Sequence, residues 1–140
     1  MNIITTKSSV PICSDEGVHS KKDIDDIINN RTSNGVSLKT IKLGGIVDVL
    51  NCAIFANENN ISVNLAGKVA ETSISSYAIA NIATSIPQMK WDLSITNQYL
   101  VEDPVLEPLN IKDGKVHIKE TIGLGTEIDM SKAKKYIIQN

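Results

Sequence analysis

The sequence predicts an α/β fold that forms part of a β/α barrel. Strand-like segments alternate with helix-like segments, and strand starts recur at about 25 residues, which is typical of βαβ units on a parallel sheet. The chain has 140 residues, whereas a complete eight-stranded barrel takes about 250. We therefore expect about three βα units, a final strand and a tail. A small doubly wound sheet is an alternative that periodicity alone does not exclude.

The strands are predicted from short apolar runs rich in β-branched residues and bounded by turn formers. The first run ends at the acidic pair Asp15 and Glu16, and Gly17 then permits a turn. Four strands are predicted, at residues 10–13, 36–41, 61–66 and 91–95.

Three helices are predicted between these strands, at residues 21–28, 46–56 and 74–86. Ser20 with Asp23 resembles a capping box, in which a hydroxyl and a carboxylate satisfy the free amides of the first turn. Ile24, Ile27 and Ile28 then form an apolar stripe at helical spacing.

The pattern changes after Pro104. Asp113-Gly114 lies between two short apolar runs and predicts a two-residue hairpin turn. A closing helix is predicted over residues 131–138. We expect one partial barrel domain over residues 1–140, with the βα units in 11–95 and the hairpin and closing segment in 96–140.

Composition narrows the class of protein. Hydrophobic residues make up 41% and charged residues 21%, and the formal net charge is −2, so we expect no nucleic-acid partner and no membrane partner. No apolar run approaches the roughly 20 residues of a membrane span, and the start does not resemble a signal peptide. We therefore expect a cytoplasmic protein whose Cys13 and Cys52 are free thiols in the core, with a disulfide between them as the alternative.

Groups that could carry chemistry follow the predicted strands, which is where β/α barrels place their sites. Acids follow the first strand, lysines lie at the end of the second, and a further acid follows the third. Taken singly, each is more often a solvated surface group. The candidates are Asp15, Glu16, Lys39, Lys42, Glu71 and Asp92.

These segments together resemble a known family. Residues 11–17, Pro-Ile-Cys-Ser-Asp-Glu-Gly, are similar to the strand-end Asp-Glu motif of the enolase superfamily, in its muconate-lactonizing-enzyme and mandelate-racemase-like branch. Residues 38–45 resemble the Lys-x-x-Lys-x-Gly-Gly strand and turn, and residues 66–71 a loop ending in Glu. The stretch over 92–125 resembles the last strand and tail. The resemblance implies the C-terminal part of a TIM-type (β/α) barrel.

The resemblance also implies roles for the strand-end residues. Asp15 matches the third of three carboxylates that hold a catalytic Mg²⁺, and Glu16 matches its neighbour behind the metal ligands. Lys39 matches the acid/base lysine on one face of the substrate, and Lys42 a second lysine of the motif with a supporting catalytic role.

Glu71 and Asp92 match positions that contact the substrate.

Family members remove the proton next to a carboxylate: Mg²⁺ stabilises the developing charge and a lysine moves the proton. Racemases, epimerases, cycloisomerases and dehydratases use this chemistry. The lysine pKa must be lowered for it to act as a base near neutral pH, which burial and the metal would do.

The sequence also departs from the family. The N-terminal capping domain and two further metal carboxylates have no counterpart, so we expect weak or no Mg²⁺ binding and no activity from the chain alone. Three hypotheses follow. The chain is completed by a separate N-terminal half and acts on a small carboxylate; or it is a non-catalytic remnant that self-associates; or it is a small-ligand binding module.

Overall fold

The computed structural model describes residues 1–138, so the last two residues of the predicted closing segment lie outside the described residues. The helices are α1 (Asn2–Lys7), α2 (Lys21–Asn30), α3 (Thr40–Leu43), α4 (Ile46–Glu58), α5 (Ser73–Thr84) and α6 (Met130–Ala133), with short 3-10 helices at Asn97–Tyr99 and Lys134–Tyr136. The strands are β1 (Cys13–Ser14), β2 (Gly35–Leu38), β3 (Ser62–Ala66), β4 (Leu93–Ser94), β5 (Ile111–Lys112) and β6 (Lys115–Val116).

The first four strands form one parallel sheet in the order β1-β2-β3-β4. Spatial order follows chain order, so every crossover leads to the next strand. A doubly wound sheet would reverse its strand order at a switch point. The structure therefore has the strand order of a barrel, and the predicted α/β part-barrel is confirmed.

The chain divides into two compact units. The first comprises Met1–Ala66 and Ile82–Ser94, and the second comprises Gly67–Asn81 and Ile95–Asn140. All four strands of the parallel sheet lie in the first unit.

The core of the first unit lies between the sheet and α4. Side chains of Val36 and Leu38 on β2, and of Val63 and Leu65 on β3, are at most 1% exposed. α4 packs on both strands and also against α2. Removing each such side chain from water contributes about 1.5–3 kcal/mol, which is why short parallel strands are stable here.

The predicted cap of α2 is confirmed. The Ser20 hydroxyl accepts a hydrogen bond from the Asp23 amide at 3.3 Å, and the Asp23 carboxylate accepts one from the His19 amide at 2.9 Å. The returning carboxylate thus binds one residue earlier than in the usual capping box.

Several predicted elements differ in extent. Strand β1 covers Cys13–Ser14 instead of residues 10–13, and β4 covers Leu93–Ser94 instead of residues 91–95. Strand β2 ends at Leu38 instead of residue 41, because residues Thr40–Leu43 form the turn α3, which Gly44 closes in the left-handed region (φ 97°). Cys13 was expected in the core but is exposed, because it lies on β1, the edge strand of the sheet. Cys52 is buried, and both thiols are free as predicted.

The second unit contains the predicted hairpin. β5 and β6 pair antiparallel around Asp113 (φ 52°) and Gly114 (φ 70°), the positive φ pair of a type I′ turn. The closing helix is shorter than predicted. α6 is capped by the Asp129 carboxylate but covers only Met130–Ala133, because Lys134–Tyr136 continue as a 3-10 helix and the β-branched Ile137 and Ile138 that follow favour helix less.

Candidate active site

The site lies at the carboxyl ends of two neighbouring strands. β1 ends at Ser14 and β2 at Leu38, so Asp15 and Lys39 are the first residues after each strand. Because the two strands are parallel and paired, their carboxyl ends lie at the same edge of the sheet. The sheet thereby brings together residues that are 24 positions apart in sequence (39 − 15 = 24).

Four charged side chains meet there, and we call Asp15, Glu16, Lys39 and Lys42 the strand-end cluster. The Lys39 ammonium Nζ lies 2.7 Å from Asp15 Oδ1 and 2.8 Å from Glu16 Oε1. The Lys42 Nζ lies 3.2 Å from Asp15 Oδ1 and 3.9 Å from Glu16 Oε2. The structure therefore brings together four of the six predicted site residues, and their formal charges cancel.

Lys42 holds the main chain as well as the carboxylate. Its Nζ donates to the backbone carbonyl oxygen of Asp15 at 2.5 Å. Lys42 reaches it from α3, whose exit runs through Gly44 (φ 97°) and Gly45 (φ 132°), a conformation that residues with a β-carbon rarely adopt. The Gly-Gly pair of the motif thus lets the chain leave α3 directly after the turn that carries Lys42.

The cations of the cluster are buried and the anions face solvent. The side chains of Lys39 and Lys42 are 9% and 7% exposed, whereas those of Asp15 and Glu16 are 45% and 70% exposed. Long lysine stems can be buried if the ammonium finds partners. The cluster therefore presents carboxylate oxygens outward, with the ammonium groups behind them.

The pKa values follow from these contacts. Burial alone would lower the pKa of Lys39, but hydrogen bonds and charge from Asp15 and Glu16 outweigh it, and the pKa is raised. Burial acts to raise the pKa of Asp15, yet hydrogen bonds from both lysines hold it below its ordinary value. The hydrogen bond from Lys39 also lowers the pKa of Glu16. The lowered pKa that a base requires is therefore not found at Lys39.

The residues present do not fit a magnesium site by themselves. Mg²⁺ takes six oxygen ligands, usually carboxylates, waters and substrate. Within residues 1–138, no group of three or more His, Cys, Asp or Glu side chains is placed to hold a metal ion. The two acids of the strand-end cluster, Asp15 and Glu16, are already bonded to the ammonium of Lys39.

Glu71 belongs to the second unit, where it is held by its own loop. Its carboxylate accepts a hydrogen bond from the Ser75 hydroxyl, and a β-carbon on Gly67 would lie 3.0 Å from its Oε2. The Thr96 hydroxyl accepts from the Glu71 amide at 3.3 Å and donates to the carbonyl of Lys68. The loop thus fixes the Glu71 side chain, and its substrate contact stays a prediction.

Asp92 lies at the other end of its strand. It directly precedes Leu93, the first residue of β4, so it is at the amino end of the sheet, whereas Asp15 and Lys39 are at the carboxyl end. Its side chain is exposed, and its carbonyl accepts a hydrogen bond from Asn64. The structure does not place Asp92 with the strand-end cluster, and its contact with substrate stays a prediction.

The sequence reading missed a polar row across the sheet. The Ser37 hydroxyl of β2 donates to Asn64 Oδ1 of β3 at 3.1 Å, and Asn64 Nδ2 lies 3.3 Å from Ser94 Oγ of β4. Lys39 comes two residues after Ser37, and side chains two apart in an extended chain point to the same face of the sheet. Lys39 therefore lies on the same face as Ser37. The available signal was a polar residue between two apolar ones in two successive strands.

Among residues 1–138, no helix has the length and apolar character needed to cross a membrane.

The sheet order and the strand-end cluster define an α/β part-barrel with its charged groups at the carboxyl edge. The chain belongs to the enolase C-terminal domain-like family, whose model matches residues 1–132. The resemblance to the muconate-lactonizing branch is thereby confirmed.

Individual relatives agree with that family. Chloromuconate cycloisomerase of Cupriavidus necator is 25% identical over 134 residues, which is 95% of this chain and 36% of that protein. The o-succinylbenzoate synthase of Enterococcus faecalis is 28% identical over 127 residues, 89% of this chain and 34% of that protein. The solved muconate lactonizing enzyme of Pseudomonas putida matches with a TM-score of 0.89 and 26% identity, over 96% of this chain and 37% of that one. The chain thus spans about a third of the length of the relatives it matches.

Proposed function

We propose that this chain supplies the proton-transferring lysine, Lys39, and one carboxylate, Asp15, to a larger enzyme that removes the proton next to a carboxylate group. The reaction would be a racemisation or epimerisation, a cycloisomerisation or a dehydration, and the substrate a small carboxylate. The observation that carries the proposal is the Lys39 ammonium, buried at the carboxyl edge of the sheet and 2.7 Å from Asp15.

In this chain Lys39 is equipped to hold a proton and not to accept one. Its raised pKa keeps the ammonium charged near neutral pH, and a lysine accepts a proton only when it is neutral. To act as a base, Lys39 must be released from its ion pairs with Asp15 and Glu16, which keep its ammonium protonated. We therefore propose that the chain alone is inactive.

The relatives support the reaction class but do not choose among its members. Chloromuconate cycloisomerase and o-succinylbenzoate synthase carry out differently named reactions, and this chain is similar to both. The metal dependence implied by the family resemblance would need carboxylates from outside this chain, since Asp15 and Glu16 do not form a metal site alone. A polypeptide supplying the rest of the barrel is the partner we propose.

Self-association is the second candidate, and exposed apolar side chains favour it. Ile3, Ile4 and Val10 of the first unit are 69%, 57% and 63% exposed. A contiguous exposed apolar patch often marks a protein–protein interface. Light scattering after size exclusion separates the two: a discrete oligomer of the chain alone favours self-association, and a monomer favours completion by another polypeptide.

Proton exchange tests the proposed reaction. The chain alone and the chain assembled with the rest of the barrel would be incubated in D₂O with a panel of small carboxylates. Deuterium at the carbon next to the carboxylate would be read by mass spectrometry. We expect exchange only in the assembled protein, and a loss of about 10²–10⁴-fold in Lys39→Ala, the usual contribution of a general acid or base. Full exchange in assembled Lys39→Ala would refute the proposal.

A further inference from the structure

Lys39 and Lys42 bind the acids of the strand-end cluster in different ways. Lys42 donates to the main-chain oxygen of Asp15 at 2.5 Å, so removing it disturbs the backbone. Lys39 instead bridges two carboxylates, with its Nζ 2.7 Å from Asp15 and 2.8 Å from Glu16. A single positive centre held between two carboxylates is the arrangement in which a bound cation would be found.

The bridging ammonium is fixed in place. The Lys39 side chain is 9% exposed, so the stem is enclosed while the two carboxylates, at 45% and 70% exposed, are open to solvent. A cation arriving from solvent would meet carboxylates whose charge is already balanced, with two ammonium groups directly behind them. Like charges at such short range repel each other strongly in a partly buried setting.

We propose that Lys39 is the built-in cation of Asp15 and Glu16 and that its ammonium excludes divalent cations from the strand-end cluster. The two acids belong to a metal site only when Lys39 is withdrawn from between them. The inference concerns the cluster named in the proposed function but does not depend on any activity, since it is a statement about cation binding to this chain.

Manganese binding tests this directly, with Mn²⁺ measured by electron paramagnetic resonance as a probe for hard divalent cations. For the full chain we expect a Kd weaker than about 1 mM, the weak end for protein sites with a full set of oxygen ligands. Lys39→Met keeps the length of the stem and removes the charge, and we expect it to bind at least about tenfold more tightly.

A control variant distinguishes the effect of the positive charge at Lys39 from the effect of the chain's net charge. Lys22→Met changes the net charge by the same amount on the exposed surface of α2, and we expect its Mn²⁺ affinity to equal that of the unmodified chain. Circular dichroism checks that each variant is folded, and Lys39→Gln replaces Lys39→Met if the latter is not.

Two results would overturn the inference. One is a Kd below about 1 mM for the unmodified chain, and the other is an affinity of Lys39→Met that matches Lys22→Met. Neither result bears on proton exchange by the assembled protein. Full proton exchange in assembled Lys39→Ala, together with tighter Mn²⁺ binding by Lys39→Met, would refute the proposed function and leave the cation inference standing.

Discussion

The ammonium of Lys42 lies 2.5 Å from the main-chain oxygen of Asp15 and 3.2 Å from its carboxylate. One buried side chain thus fixes both the backbone and the carboxylate of the first residue after β1. This makes Lys42 a positioning residue of the strand-end cluster, and its supporting catalytic role stays a prediction.

Lys42→Met should therefore destabilise the chain. It removes a hydrogen bond from a charged donor to a carbonyl, and we expect the free energy of unfolding to fall by about 1–2 kcal/mol. Urea unfolding measures this. Lys22→Met, on the exposed surface of α2, should change it by less than about 0.5 kcal/mol. Equal effects of the two substitutions would show that the Lys42 hydrogen bond to Asp15 does not stabilise the fold.

Gly35 gives a second prediction, because the indole of Trp91 occupies the space that a β-carbon would need. A β-carbon at Gly35 would lie 2.2 Å from the Trp91 ring and 2.7 Å from the carbonyl oxygen of Ser62. Gly35→Ala should cost about 1–3 kcal/mol through overpacking. Gly17→Ala is the control, since nothing lies within 4 Å of its β-carbon position. Urea unfolding should show a larger loss of unfolding free energy for Gly35→Ala than for Gly17→Ala. A Gly35→Ala variant as stable as the unmodified chain would contradict the packing of Trp91 on Gly35.

The start of α5 gives a third prediction, in the second unit. The buried carboxylate of Asp103 accepts hydrogen bonds from the Ser73 amide at 3.0 Å and hydroxyl at 2.6 Å. Asp103→Ala leaves these donors buried without an acceptor, and we expect a loss of about 1–3 kcal/mol. Hydrogen exchange should rise at the first turn of α5. Glu120→Ala, an exposed acid in the same unit, should leave exchange there unchanged.

Because of the strand-end cluster, the free energy of unfolding should also depend on pH. The pKa of Asp15 is lowered in the folded chain, so its charge contributes stability above its unfolded pKa of about 4, and the contribution is lost as the pH falls through the lower folded pKa. Lys39→Met removes a cause of that shift. Its destabilising effect should therefore be larger at about pH 6 than at about pH 3.

Urea unfolding of the unmodified chain and Lys39→Met at both pH values gives the comparison. Lys22→Met serves again as the control, and its effect should not change with pH. A Lys39→Met effect that is the same at both values would mean that Asp15 gains nothing from the ammonium.

Sequence patterns were sufficient for the parts of the site that follow from strand ends. Asp15 and Lys39 each follow an apolar run, and parallel neighbours bring such residues to one edge. The contact of Lys42 with the Asp15 carbonyl joins residues 27 positions apart, and residue patterns do not specify which donor reaches that oxygen. The bond of Ser73 to Asp103 spans 30 residues, and such long-range pairing is decided by packing.

The pKa of Lys39 gives the most direct test of the ion pairs in the strand-end cluster. In a chain labelled with ¹³C and ¹⁵N, the Lys39 side-chain resonances would be followed by nuclear magnetic resonance as the pH is raised. We predict a midpoint above the ordinary lysine value of about 10.4, because Asp15 and Glu16 stabilise the ammonium. The midpoint should move down in Glu16→Gln. A midpoint at or below the ordinary value in the unmodified chain would contradict the cluster described here.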